Sequence, residues 1–152
     1  MSDDRRPNWD NYFLKIAKDV SERSNCCRRK VGAVIVKDNH IVSTGYNGTP
    51  YKTTNCFDGG CPRCSSEHHT GEKLEECLCV HAEQNAICQA ARLGNAIDGA
   101  DIYITCSPCL TCLKLLINSG IKRVVYSELY RSYSVQELNL IKESGILLYQ
   151  LA

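Results

Sequence analysis

Apolar side chains recur at helical spacing near the start of the chain: Trp9, Tyr12, Phe13, Ile16, Ala17 and Val20 share one face of an amphipathic helix. The period then shortens to two. Residues 31–36 and 41–46 read as strands, joined across 37–40 into a hairpin. From 47 to 76 the pattern collapses into Gly, Pro, Cys, Thr and charged residues. A stretch of that length without apolar periodicity cannot pack as ordinary structure, so something other than a core must hold it. Helical spacing resumes over 81–93, rich in Ala and stopped by Gly94. A short strand follows at 102–105, then a third helix over 108–118, opened by Pro108 and closed near Gly120. Residues 124–126 form another strand. Ser134 and Glu137 make a capping box for a fourth helix, which Gly145 ends before a last strand over 146–151.

The order is α-β-β-insert-α-β-α-β-α-β. It predicts an α/β fold, a three-layer α/β/α sandwich on a mixed five-stranded sheet, mainly parallel, with an antiparallel hairpin at one side. The 152 residues fit one domain, 1–152, with a cysteine-rich insert at 47–79 and no internal repeat.

Composition narrows the classes. Apolar residues make up 43% and the formal net charge is +1, which excludes a disordered tail and a basic nucleic-acid module. Residues 1–9 are polar and lack the apolar centre of a secretory signal, and no apolar run approaches the ~18 residues of a membrane span. The expectation is a cytoplasmic protein (a host's cytosol included) with no membrane and no nucleic-acid partner. Eleven cysteines then need a reason. In a reducing compartment, with an odd count, closely spaced cysteines read as thiolate ligands for a metal rather than as disulfides.

Two segments carry the chemistry: His81-Ala82-Glu83 and Pro108-Cys109-Leu110-Thr111-Cys112, each opening a predicted helix. Cys109 and Cys112 are three apart, so on a helix they share a face and can grip one ion. A helix N-terminus favours the thiolate form that zinc requires. Two thiolates and the His81 imidazole leave a fourth position open, the layout of a catalytic zinc, which lowers the pKa of a water toward ~7. Glu83, a carboxylate beside the ligands but not one of them, is placed to take the attacking water's proton and supply one to departing ammonia. A lone C-x-x-C is equally a redox pair or half a zinc ribbon, and a lone H-x-E means little. Together, each at a helix start, they form the signature of zinc deaminases.

The chain resembles the deoxycytidylate deaminases through "KVGAVIV", "STGYNGTP", "CVHAEQNAI", "SPCLTC" and "SGIKRVVY". The resemblance implies conversion of dCMP to dUMP, feeding thymidylate synthesis. It also implies a homo-oligomer, commonly a hexamer, activated by dCTP and inhibited by dTTP; a nucleotide effector would bring Mg2+ with it. By the same resemblance His81, Cys109 and Cys112 hold zinc, Glu83 shuttles protons and Tyr130 stacks on the pyrimidine, unless it only fills surface after a strand. Gly45, Tyr46, Asn47 and Gly48 match an effector cradle, with Asn47 also a match for a sugar contact; the bland reading is an Asn-Gly turn. Arg92 matches a residue near the site and the subunit interface, or else it is a cation at a helix C-terminus.

Arg23, Arg28, Arg29 and Lys30 form a cationic cluster. Arg28, Arg29 and Lys30 are the phosphate candidates, against a solvated helix end. The resemblance further implies a structural zinc at Cys26, Cys56 and Cys79, with Cys61, Cys64 and Cys77 supplying further thiolates and His68 and His69 also available. Cys27 stands outside these sets, and Cys88 is expected as a small buried residue of the second helix. Three rivals stay open: another cytosine nucleotide such as dCTP as substrate, a base in nucleic acid, or a zinc module that catalyses nothing. The near-neutral charge opposes the nucleic-acid reading, and the last leaves Glu83 without a purpose.

Overall fold

The computed structural model describes residues 5–66 and 72–151. His68 and His69 lie outside them. Five strands, β1 (Gly32–Lys37), β2 (His40–Tyr46), β3 (Asp101–Cys106), β4 (Arg123–Glu128) and β5 (Leu147–Gln150), form one sheet in the order β2-β1-β3-β4-β5. The helices are α1 (Trp9–Ser21), a one-turn α2 (Pro62–Ser65), α3 (Ala82–Leu93), α4 (Leu110–Asn118) and α5 (Val135–Ser144).

Alternation along the strands builds the three expected layers. Val34, Val36, Tyr103 and Val125 meet Phe13 and Ala17 of α1 on one face. Ala33, Ile35, Ile102, Ile104, Val124 and Tyr126 meet Ala82 and Ala86 of α3 and Leu113 and Leu116 of α4 on the other. Glycine lets each face close. A Cβ on Gly32 would stand 2.1 Å from the Ala17 carbonyl oxygen, and one on Gly45 would stand 2.3 Å from that of Ala82. The hairpin turns through Asp38 and Asn39 at φ 50° and 61°, as a tight two-residue connection requires.

Three expectations are corrected. The sheet is not mainly parallel, because β1 runs antiparallel to both β2 and β3 while only β3-β4-β5 are parallel. The insert and α3 return the chain across the sheet before β3 begins. Helices α3 and α4 start one or two residues later than the pattern suggests, so His81 and Cys109 are N-caps with extended backbone. Cys88 is exposed, since α3 buries the opposite stripe of Ala82, Glu83, Ala86 and Ala90.

An ion cluster ties α1 to the amino ends of β3 and β4. Arg123 donates to both oxygens of Asp10, at 2.8 and 2.9 Å, and to Asp101 at 3.0 Å, while the Tyr103 hydroxyl donates to Asp10 at 2.7 Å. Hydrogen bonding from Arg123 holds the Asp10 carboxyl below the ordinary carboxylate range. The folded-state pKa is thus below the unfolded one, so this stabilisation is present above about pH 4 and disappears as pH falls through the folded value. Asp10→Asn should lower the melting temperature at pH 7 and flatten the decline below pH 4. Equal acid slopes in the two proteins, measured by thermal melts across pH, would contradict the assignment.

Candidate active site and thiolate clusters

The site gathers where β3 and β4 end and α3 and α4 begin. As an N-cap, His81 is fixed by the Gln84 side chain, whose Oε1 accepts from its backbone N–H at 2.8 Å. The His81 Nδ1 then lies 3.5 Å from Cys109 Sγ and 3.3 Å from Cys112 Sγ. All three donor atoms fall within 4.8 Å of one another, and a nitrogen with two sulfurs is a donor set that suits zinc. Hydrogen bonding from Cys112, then His81, holds Cys109 down to about 4, and the same contact pushes Cys112 up.

Glu83 is buried at the first turn of α3, 4% exposed. Burial pushes its carboxyl above the ordinary value, opposed by the helix backbone and by His81. A buried carboxyl held above its ordinary value beside three candidate metal ligands is the kind of group an acid–base shuttle uses.

One cavity of about 410 Å³ includes His81, Glu83, Cys109, Tyr130, Asn47, Arg28 and Arg29 in its walls. Arg29 stacks on Tyr130 with its guanidinium carbon 4.5 Å from the ring centroid. The Tyr130 backbone N–H donates to the Ser107 hydroxyl at 2.9 Å. Arg28 is turned toward the insert, where it donates to the carbonyls of Cys64 and Ser66. Lys30 is not brought to this cavity; it lines a second one with Lys15, Lys18 and Arg29.

The stretch 45–48 is largely committed to packing. Gly45 lies under α3, Tyr46 is 36% exposed, and Gly48 exchanges backbone hydrogen bonds with Val80. Asn47 Oδ1 accepts from the Val31 N–H at 2.8 Å and the Ser24 hydroxyl at 2.7 Å, while Nδ2 donates to the Arg29 carbonyl at 2.7 Å. Arg92 sits outside the cavity and stacks on Tyr51 at 4.8 Å.

The six insert-associated cysteines also converge. Cys26, Cys56, Cys61 and Cys64 are buried, with Cys77 and Cys79 packed against them. Arg63, buried to 8% exposure, places Nη1 3.9 Å from Cys64 Sγ. Sequence reasoning passed over Arg63, Cys106 and Ser107. Cys106 and Ser107 are buried in the cavity wall, and burial pushes the Cys106 thiol up to about 11. The only available signal was their place just before Pro108; a buried arginine inside a charged, turn-rich stretch gives none.

Asn47→Ala strands the Val31 N–H and the Arg29 carbonyl in partly buried surroundings, while the Ser24 hydroxyl keeps the backbone carbonyl of residue 47. Unfolding in denaturant should show a loss on the order of 2–4 kcal/mol. A loss under about 1 kcal/mol would mean that Asn47 does not pin 24–31 in place.

Comparison with known proteins agrees with this geometry. The family model described as the cytidine and deoxycytidylate deaminase zinc-binding region matches residues 7–128. A deoxycytidylate deaminase of Schizosaccharomyces pombe is 46% identical over 147 residues, 95% of this chain and 44% of that protein. The chain therefore spans less than half the length of that relative. The deoxycytidylate deaminase of Mycobacterium phage D29 is 44% identical over 126 residues, 80% of this chain and 95% of the phage protein. Among solved structures, the dCMP deaminase of cyanophage S-TIM5 in complex with dCMP and dUMP matches at TM-score 0.76 and 32% identity, covering 96% of this chain and 98% of that one.

Proposed function

The chain belongs to the cytidine and deoxycytidylate deaminase family, and from that premise we propose that it hydrolyses dCMP to dUMP and ammonia. The observation that carries the reading is a buried carboxyl, Glu83, in one cavity with His81 and Cys109, whose donor atoms converge with that of Cys112. His81 Nδ1, Cys109 Sγ and Cys112 Sγ would hold zinc. When bound, zinc supplies the positive charge that lets water attack at neutral pH.

The Glu83 carboxylate takes a proton from the attacking water and passes it to N3 of the cytosine as the oxygen bonds to C4. It then carries the remaining proton from the C4 hydroxyl to the amino nitrogen as the C4–N bond breaks, leaving C4=O and N3–H. The oxygen stays on the base and nitrogen leaves as ammonia, so atoms and charge balance. Tyr130 offers a ring face to the base. The Ser107 hydroxyl, by accepting from the Tyr130 N–H, helps fix where that ring stands. Arg29 is the better placed phosphate ligand, since Arg28 is occupied with carbonyls. One Nδ2 hydrogen of Asn47 remains for the sugar.

The same reading places the enzyme in the cytoplasm, in the supply of thymidylate, as a homo-hexamer with Arg92 at a subunit interface. It also gives 45–48 a role in answering dCTP and dTTP, with Mg2+ accompanying the nucleotide. Among the described residues no helix is long and apolar enough to cross a membrane.

Glu83→Gln should keep zinc and the melting temperature but lower kcat at least ~10²–10⁴-fold, because one group serves several proton transfers. Retention of more than about a tenth of normal turnover in the zinc-loaded variant would remove Glu83 from the mechanism.

Substrate choice gives a second measurement. The kcat/KM for dCMP should exceed that for deoxycytidine by at least ~10²-fold, and Arg29→Ala should reduce that preference more than it reduces deoxycytidine turnover. Equal values for the two would move the assignment to a nucleoside deaminase. A preference for a cytosine-containing oligonucleotide would move it to nucleic acid.

A further inference from the structure

Among the described residues, the insert between β2 and α3 buries a cluster of cysteines together with Cys26 from the segment after α1. All six sulfurs are free. They fall into two overlapping sets: Cys26, Cys56, Cys64 and Cys79, and Cys61, Cys64, Cys77 and Cys79. Within each set the four sulfurs lie within 4.8 Å of one another. Cys64 is 3.7 Å from Cys77, and Cys61 is 3.9 Å from Cys77. Four thiolates bonded to one zinc at about 2.3 Å in a tetrahedron stand about 3.8 Å apart. A disulfide would bring two sulfurs to about 2.05 Å. The two separations in the second set are those of ligands around a single ion, the first set is as closely gathered to within 4.8 Å, and Cys64 and Cys79 belong to both.

We propose that the insert holds a binuclear zinc–thiolate cluster, with Cys64 and Cys79 bridging the two ions. Cys26 and Cys56 complete four-coordination of one ion, and Cys61 and Cys77 complete that of the other. Each thiol gives its proton to solvent as metal binds. Six thiolates against two dications leave a small net negative charge, and the insert supplies matching groups. Arg63 sits beside Cys64, and the Leu78 backbone N–H donates to Cys61 Sγ at 3.3 Å. With a single ion on the first set, Cys61 would be a fully buried thiol serving nothing beside that arginine. The second ion also clips residues 65–76 at both ends, through Cys64 and Cys77. The cluster stands apart from the catalytic reading, since it is independent of which base is deaminated. It does brace the same cavity, because Cys64, Cys77 and Cys79 line it and Cys79 is two residues from His81.

Native mass spectrometry of protein purified without chelator should count three zinc ions per chain. His81→Ala should remove one of them, and Cys61→Ser a different one. In Cys61→Ser, Cys77 should become open to alkylation while Cys26 and Cys56 stay protected. After exchange with ¹¹³Cd, two of the three metal resonances should be split by metal–metal coupling through the shared sulfurs, and the pair should survive in His81→Ala. The spectrum of the unaltered chain decides the matter even if Cys61→Ser fails to fold. Two zinc ions in total with Cys61 and Cys77 alkylated in the folded protein would overturn the proposal. So would three ions without coupling, or iron in place of zinc in the insert.

Discussion

His81 Nδ1 can stand 3.3 Å from Cys112 Sγ only because α3 and α4 begin side by side on one face of the sheet. Three things hold them there. The backbone of β2 is bare at Gly45, so α3 sinks until its first turn touches the strand. The buried stripe of α3 uses Ala82, Ala86 and Ala90, which add little thickness. Helix α4 hangs directly from β3 through Ser107 and Pro108 and buries Leu113 and Leu116 in the same core. Thickening any of these contacts would move one ligand relative to the other two. Glu83 depends on the same approach, since its burial comes from α3 lying low against the sheet.

The insert follows a different physical logic from the sandwich. Its large apolar side chains, Tyr51, Phe57, Leu74 and Leu78, are exposed, so they do not form a core. Ordering a chain costs ~1–2 kcal/mol per residue of backbone, and single 3-10 turns at Cys56–Asp58 and Leu74–Glu76 recover little of it. What is buried is sulfur. Contact between Cys26 and Cys79 lowers the Cys26 thiol and raises that of Cys79, the mutual influence of thiols packed close together. A cluster of this kind favours metal over apolar packing as its source of folding energy.

Much of the sandwich was legible from pattern because each strand face is filled by residues of that strand and its close neighbours. The start of α5 illustrates this in part: the Ser134 hydroxyl accepts from the Glu137 N–H at 3.2 Å as expected, but the Glu137 side chain does not close the expected capping box. What Glu137 does with its carboxylate was not legible. It is 2% exposed and accepts from Arg131 at 2.6 Å, a contact across a bend that no periodicity encodes. The antiparallel pairing of β1 with β3 was hidden for a related reason, since Val34 and Tyr103 are far apart in sequence and the direction of β3 depends on how the insert returns the chain. Cys88 misled because an alanine-rich helix offers several small-residue stripes, and only packing decides which is buried. The convergence of His81, Cys109 and Cys112 was the easiest part to read, since zinc-binding sites draw on a short list of side chains at short spacings.

Val80 joins the two halves of the molecule that pattern could not connect. It lies between Cys79, of the insert's cysteine cluster, and His81, of the proposed catalytic zinc ligands. Its backbone exchanges two hydrogen bonds with Gly48, at 2.6 and 3.1 Å. Gly48 follows Asn47, whose side chain pins Ser24, Val31 and the carbonyl of Arg29. Arg29 in turn stacks on Tyr130. One short hydrogen-bonded path therefore links the thiolate cluster, His81, the cationic segment after α1 and the aromatic wall of the cavity. A side chain larger than glycine at 48 would meet Asn25 at 2.7 Å, so the path tolerates no thickening where it crosses from β2 to the insert. The insert is in this sense part of the cavity wall, and its folding and the placing of His81 are one structural problem.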